Sequence, residues 1–278
     1  MSLNPDFRFS QNNLQDYLDC PRRFELRYIL RQAWPALESE PYLEQEQRME
    51  DGQKFHKLVQ QYVVGLSEES LQESASSSST VAGWWANFLQ SAPIDDLPLD
   101  RYVEYYLCGS LGDYRLAAQY DLLSIEQGKR AVIIDWKTAS RRPGRETLKN
   151  RVQTRVYRYL LVAAGTQLNG NQPVRPEQVE MVYWFPEFPD QPERFPYDQK
   201  QYEADGAFLQ SLVAEIASLQ PGRFILTADE KKCLFCNYRS LCNRGEVAGD
   251  WHEADETPAA EPAAQTALDF EQIGEVEF

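Results

Sequence analysis

The sequence predicts an α/β fold, a mixed β-sheet flanked by helices, and three observations predict it. Residues 101–139 hold three runs rich in aromatic and β-branched residues with partial alternation, "RYVEYYLCGS", "DYRLAAQYDLLSI" and "AVIIDWKTA", as strands do. Helical periodicity flanks that stretch on both sides. A further strand-like run, "VEMVYWFP", lies between two helical segments. The order helix, three strands, helix, strand, helix argues for helices layered around one mixed sheet.

Taken in order, "SQNNLQDYLDCPRRFELRYIL" begins with a Ser cap and spaces Leu14, Tyr17, Leu18 and Phe24 as a helix does. A second helix is expected over residues 47–66. The Ser-rich stretch 67–80, "SEESLQESASSSST", reads as a loop or mobile linker. Helix "VAGWWANFLQ" and Pro-rich "APIDDLPLD" precede the strands. "GRETLKNRVQTRVYRYLLVAAG" returns to helical period, and "QYEADGAFLQSLVAEIASLQ" is amphipathic. Residues 1–245 are expected to form one domain, and residues 246–278 an acidic, disordered tail.

The chain of 278 residues carries a net charge of -15, which at first argues against a nucleic-acid partner. Ten acidic residues and no Lys or Arg fall within 246–278, so the tail supplies -10 of that charge. Residues 129–158 hold ten basic residues against Asp135 and Glu146, a local excess of +8. A basic stripe of this kind, and not the whole-chain charge, is what phosphate binding requires; a solvated helix face would read the same way. No run reaches membrane-spanning length and the first residues lack a signal-peptide core. A cytoplasmic protein is therefore expected, where clustered cysteines serve metals more often than disulfides.

Chemistry concentrates at a hairpin. The strands ending at Ile125 and starting at Ala131 are joined by "EQGKR". If Ile125 pairs with Ala131, Asp121 faces Asp135, and Lys137 points to the same face. Two like charges placed opposite one another need something positive between them. A hard divalent cation, Mg²⁺ or Mn²⁺, answers that need; Lys137 alone, on a wet sheet face, is the simpler alternative. A second cluster is "KKCLFCNYRSLC", with Cys233, Cys236 and Cys242. Three thiols at this spacing suit zinc or an iron–sulfur cluster, yet each needs a fourth ligand.

These motifs together resemble the PD-(D/E)XK nuclease superfamily, in its RecB-like branch of CRISPR-associated and AddB-type nuclease domains. Asp121 followed by Asp135-Trp136-Lys137 is similar to the acid…(D/E)xK motif, "GQKFH" to the Gly-x-x-x-His helix carrying His56, and "QTRVY" to the Gln-x-x-x-Tyr motif of Gln153 and Tyr157. The resemblance implies a restriction-endonuclease-like fold and a Mg²⁺- or Mn²⁺-dependent deoxyribonuclease, acting as an exonuclease in DNA repair, recombination or CRISPR-type processing. It implies that His56, Asp121, Asp135 and the backbone carbonyl of Trp136 bind the cation, and that Lys137 activates water. It also supplies Cys20 as the fourth ligand of a [4Fe–4S] cluster with Cys233, Cys236 and Cys242; structural Zn²⁺ is the alternative. Arg145, Lys149, Gln153 and Tyr157 recur at steps of four, a ridge suited with Arg141 and Arg142 to a DNA backbone. No P-loop is present, so helicase action would come from a partner. Gln265–Phe270, "QTALDF", resembles peptides that bind the bacterial sliding clamp. The rival reading is a non-catalytic DNA-binding subunit that keeps the fold.

Overall fold

The computed structural model describes residues 3–33, 40–234 and 236–245. In chain order the elements are β1 (Arg8–Phe9), α1 (Gln11–Asp19), α2 (Pro21–Phe24) continuing into a π-helical turn (Glu25–Ile29), α3 (Glu40–Val63), α4 (Glu68–Ala75), α5 (Ser79–Ser91), β2 (Asp100–Leu111), β3 (Tyr114–Glu126) and β4 (Arg130–Trp136). There follow α6 (Arg145–Asn150), α7 (Val152–Ala164), β5 (Val179–Trp184), β6 (Glu193–Pro196) and α8 (Gln199–Ser218). The chain divides into two compact units: a central one, Gln47–Ser110 with Ala117–Ala207, and a terminal one, Met1–Glu46 with Leu111–Leu116 and Phe208–Phe278.

The sheet of the central unit is mixed, as expected. The order is β3-β4-β5-β6, with β2 also on β3; β1 adds a short parallel pairing at Arg8↔Arg115 and Phe9↔Leu116, making six strands. The β3–β4 hairpin has the register read from its loop, Ile125↔Ala131 through Leu122↔Ile134. Gly128 turns it with φ of 75°, a conformation a side chain would resist. β4 then pairs parallel with β5, Asp135 opposite Tyr183 and Trp136 opposite Trp184. From Ala131 to Trp136 every residue of β4 is buried, which is why this strand is an apolar run without alternation.

An aromatic core backs the sheet. Phe88 meets Trp136 at 5.5 Å and Trp184 at 6.0 Å, both edge to face, and Phe55 stacks on Trp184 at 6.4 Å. Phe55, Phe88, Trp136 and Trp184 are all but fully buried, each removing about 1.5–3 kcal/mol worth of apolar surface from water. That packing fixes α3 and α5 against the strand that carries Asp135.

Two segments differ from the sequence reading. The Ser-rich stretch is not a loop: α4 forms with Ser67 as its cap, Glu68 and Glu69 in its first turn, and Leu71 and Ala75 buried, and Ser78 caps α5. Serine disfavours helix interiors but favours their starts, and here serines occupy two starts. The helix expected over 144–165 is two helices. Arg151, with ψ of 141°, leaves helical geometry between α6 and α7. The hydroxyl of Thr154 donates to the Leu148 carbonyl at 2.5 Å and so satisfies an end of α6 that would otherwise be orphaned. The ridge from Arg145 to Tyr157 is therefore not continuous.

In the terminal unit α1 begins at Ser10, which forms a capping box with Asn13. It ends at Cys20, whose φ of -161° and ψ of 106° break the helix before Pro21. The N- and C-terminal parts of this unit are joined by the Tyr17 hydroxyl donating to Glu215 at 2.7 Å, by Lys232 to Asp19 at 2.9 Å, and by Phe24 stacked on Phe224 at 5.9 Å. The expected tail, with Gln265–Phe270, lies outside the described residues.

Candidate active site

His56 lies on α3, one turn after Gly52. A Cβ at position 52 would stand 2.9 Å from Thr138 Oγ1, so only glycine lets this helix approach the segment that follows Lys137 so closely. The approach brings His56 Nδ1 to 3.6 Å from Asp121 Oδ2. Asp121 is held in turn: its Oδ2 accepts the Trp136 backbone N–H at 2.8 Å. The Trp136 side chain is spent in the aromatic core.

Asp135 and Lys137 are both buried, and Lys137 Nζ reaches Asp135 Oδ2 at 2.8 Å. Gln153, from the first turn of α7, donates to Asp135 Oδ1 at 2.7 Å. Lys137 also lies over the Tyr183 ring, 5.8 Å from its centroid. The Tyr183 hydroxyl shares a 2.7 Å hydrogen bond with Thr154, and burial pushes that phenol well above its ordinary value. Asp135 thus has a cation on one oxygen and an amide on the other, an arrangement a buried carboxylate requires.

Tyr157 acts at one remove. Its hydroxyl donates to the Gln119 carbonyl at 2.7 Å, the Tyr120 hydroxyl donates to the Tyr157 carbonyl at 2.9 Å, and the two rings lie 4.7 Å apart. These contacts lock α7 to β3 and so aim Gln153. Among the basic residues, Arg142 and Arg145 pair with Glu193 of β6, Arg142 at 2.8 Å. Arg145 also stands 4.6 Å over the Phe195 ring. Arg141 and Lys149 are exposed.

Sequence reasoning missed Glu104. His56, Glu104 and Asp121 each offer a ligand atom, and these atoms lie within 4.8 Å of one another. Glu104 sits in β2 with φ of 49°, a left-handed kink in mid-strand that a Glu seldom adopts. Gln119 donates to its Oε2 at 2.8 Å. Burial pushes both the Glu104 and the Asp121 carboxyl up; His56 opposes the shift in each, and neighbouring acids add to it. The only local signal in the sequence is a lone acid inside the aromatic run "YVEYY".

In the terminal unit Cys233 lies near enough to Cys20, Cys236 and Cys242 for their charges to act on it, and Cys20 acts likewise on Cys236 and Cys242; among the described residues no three of these thiols have sulfurs within 4.8 Å of one another. Burial pushes the thiols of Cys233, Cys236 and Cys242 up, and their cysteine neighbours add to the shift. Arg23 lies against this group, ion-paired to Asp16 at 2.9 Å and Asp19 at 2.7 Å. Cys108 stands apart on β2.

A family model of the PD-(D/E)XK nuclease superfamily matches residues 8–243. The chain belongs to that superfamily. No curated protein matches it. A solved structure from Eubacterium rectale, assigned as an exonuclease, shares 10% identity over 89% of this chain and 91% of its own, with a TM-score of 0.50. The crystal structure of SSO0001 shares 14% identity over 86% of this chain and 87% of its own, with a TM-score of 0.42. PD-(D/E)XK nucleases use divalent metals, and the donor set fits one: an imidazole and two carboxylates, whose burial disfavours their charge until a cation offsets it.

Proposed function

We propose that this protein is a Mg²⁺- or Mn²⁺-dependent deoxyribonuclease, acting on DNA ends as an exonuclease. The observation that carries the reading is the Asp135–Lys137–Gln153 group, its carboxylate and ammonium buried and paired, next to the cluster of His56 and Asp121. A bound divalent cation supplies charge for the phosphodiester and lowers the pKa of attacking water. His56, Asp121, Asp135 and the Trp136 carbonyl are the residues that would hold it. Lys137 aims its ammonium at the phosphate and the attacking water, and Tyr183 and Asp135 fix its direction. Gln153 orients Asp135, and Tyr157 positions Gln153. Arg141, Arg142, Arg145 and Lys149 carry the DNA backbone, Arg141 and Lys149 through open charge and the other two from their pairing with Glu193.

Cys20, Cys233, Cys236 and Cys242 hold a [4Fe–4S] cluster that serves the fold and not the chemistry. Four thiols in one neighbourhood, three of them pushed up by burial, supply the ligand number and type of a group that favours thiolates. The cluster closes a loop of more than two hundred residues (Cys20 to Cys233), whose entropy opposes folding.

The test is digestion of end-labelled linear and circular DNA with Mg²⁺ or Mn²⁺, using Asp121→Asn and Lys137→Ala as controls. Metal-dependent release from ends, lost in both variants, is the expected result. Digestion by the variants equal to that of the parent sinks the catalytic reading and favours a DNA-binding subunit. Iron and acid-labile sulfide in stoichiometric amount support the cluster; zinc without sulfide refutes it.

A further inference from the structure

We infer that Glu104 is a ligand of the catalytic cation, and that before DNA binds it contributes more to cation affinity than Asp135 does. The inference rests on the metal-dependent reading above and refines it.

The geometry separates the acids into two groups. The ligand atoms of His56, Glu104 and Asp121 lie within 4.8 Å of one another. Among the described residues this is the group of three that could hold an ion, and Asp135 does not belong to it. Asp135 is committed elsewhere, Oδ2 to Lys137 at 2.8 Å and Oδ1 to Gln153 at 2.7 Å. A cation taking an oxygen of Asp135 must compete with a buried ammonium. The Glu104 carboxylate instead accepts from a neutral amide, that of Gln119, which a cation displaces or tolerates more easily.

The backbone explains how Glu104 arrives. Among the described residues β2 pairs with β3 alone, so it can bend without breaking a second ladder. A residue at φ of 49° in mid-strand upsets the alternation of side chains. Tyr102 and Tyr105, three positions apart and so on opposite faces of a regular strand, here touch at 5.5 Å between ring centroids. The same kink turns Glu104 toward His56 and Asp121, as bulges beside active sites do.

The experiment is Mn²⁺ titration of the full chain without DNA, read by calorimetry and by the electron paramagnetic resonance of free Mn²⁺, together with melting with and without Mn²⁺. The parent is compared with Glu104→Gln, Glu104→Gly and Asp135→Asn. Glu104→Gln keeps the shape and loses the charge; its strong Mn²⁺ site weakens about tenfold or more, and Asp135→Asn weakens it by a smaller factor. Glu104→Gly relaxes the left-handed backbone, so its metal-free protein melts no lower than the parent while the rise in melting temperature with Mn²⁺ is lost. A Glu104→Gln protein that binds Mn²⁺ as the parent does, or an Asp135→Asn protein that is the weaker binder, overturns the inference and leaves metal dependence standing. A parent that binds no Mn²⁺ is a different result and overturns the metal reading itself.

Discussion

Gly52→Ala offers a quantitative test of how the site is assembled. In an ordinary helix interior the change gains about 1 kcal/mol from backbone entropy. At this position the new methyl lies 2.9 Å from Thr138 Oγ1, with Thr138 Cβ at 3.7 Å and Cγ2 at 4.0 Å. Relief by rotation is limited, because in a side chain branched at Cβ one of the two alternative rotamers puts the methyl where the hydroxyl stood. Overpacking of this kind costs about 1–3 kcal/mol, so the net change runs from neutral to a loss of about 2 kcal/mol. At about 2–4 °C per kcal/mol for a chain of this size, melting falls by as much as about 8 °C. The assay is a double-mutant cycle with Thr138→Ala, read by melting and by cleavage rate. A coupling of about 0.5–3 kcal/mol is expected, with the double variant at or above the parent in stability. Because His56 is one turn from Gly52 on the same helix, the single variant loses cleavage beyond its loss of stability, and the double variant recovers it. A Gly52→Ala protein that melts above the parent and cleaves normally refutes the close-approach argument, as does a Thr138→Ala that rescues nothing.

Four further outcomes are expected. Tyr157→Phe removes the hydrogen bond to the Gln119 carbonyl and lowers stability by about 0.5–1.5 kcal/mol; its cleavage rate stays within a few-fold of the parent if Tyr157 positions and does not react, which single-turnover kinetics will show. Lys149→Ala weakens DNA binding equally across sequences and lowers the salt slope of log K by about 1, measured by fluorescence anisotropy at several ionic strengths; Arg145→Ala changes stability by less than about 1 kcal/mol, since its pair with Glu193 is half exposed. Cys20→Ala loses the visible absorbance and iron of the purified protein and lowers its melting temperature, while Cys108→Ala retains both.

Much of the site was legible because it depends on short-range rules. The hairpin register follows from one loop with a glycine at its turn, and it sets Asp121 and Asp135 on neighbouring strands just past the Leu122↔Ile134 pair. Gly52 and His56, and Gln153 and Tyr157, sit at helical spacing, and the strand of Asp135 reads as an apolar run because both its faces are covered. What could not be read depends on backbone states that residue type does not announce. A glutamate at φ of 49° looks like any glutamate in sequence, so the direction of Glu104 was invisible. The break at Arg151 has no proline or glycine to mark it and is sustained by Thr154 reaching back to Leu148. The serines before α5 resembled a linker because capping and linking use the same residue type.

The composition of the terminal unit has a consequence for synthesis. It draws on Met1–Glu46, on Leu111–Leu116 and on everything from Phe208 onward, whereas the unit bearing His56, Asp121, Asp135 and Lys137 is complete at Ala207. Domains fold as they leave the ribosome, N-terminal parts first. Cys20 therefore emerges more than two hundred residues before Cys233, Cys236 and Cys242. A chain that stops at Ala207 holds His56, Asp121, Asp135 and Lys137 but lacks three of the four cysteines, so loading of the proposed cluster would report synthesis through Cys242.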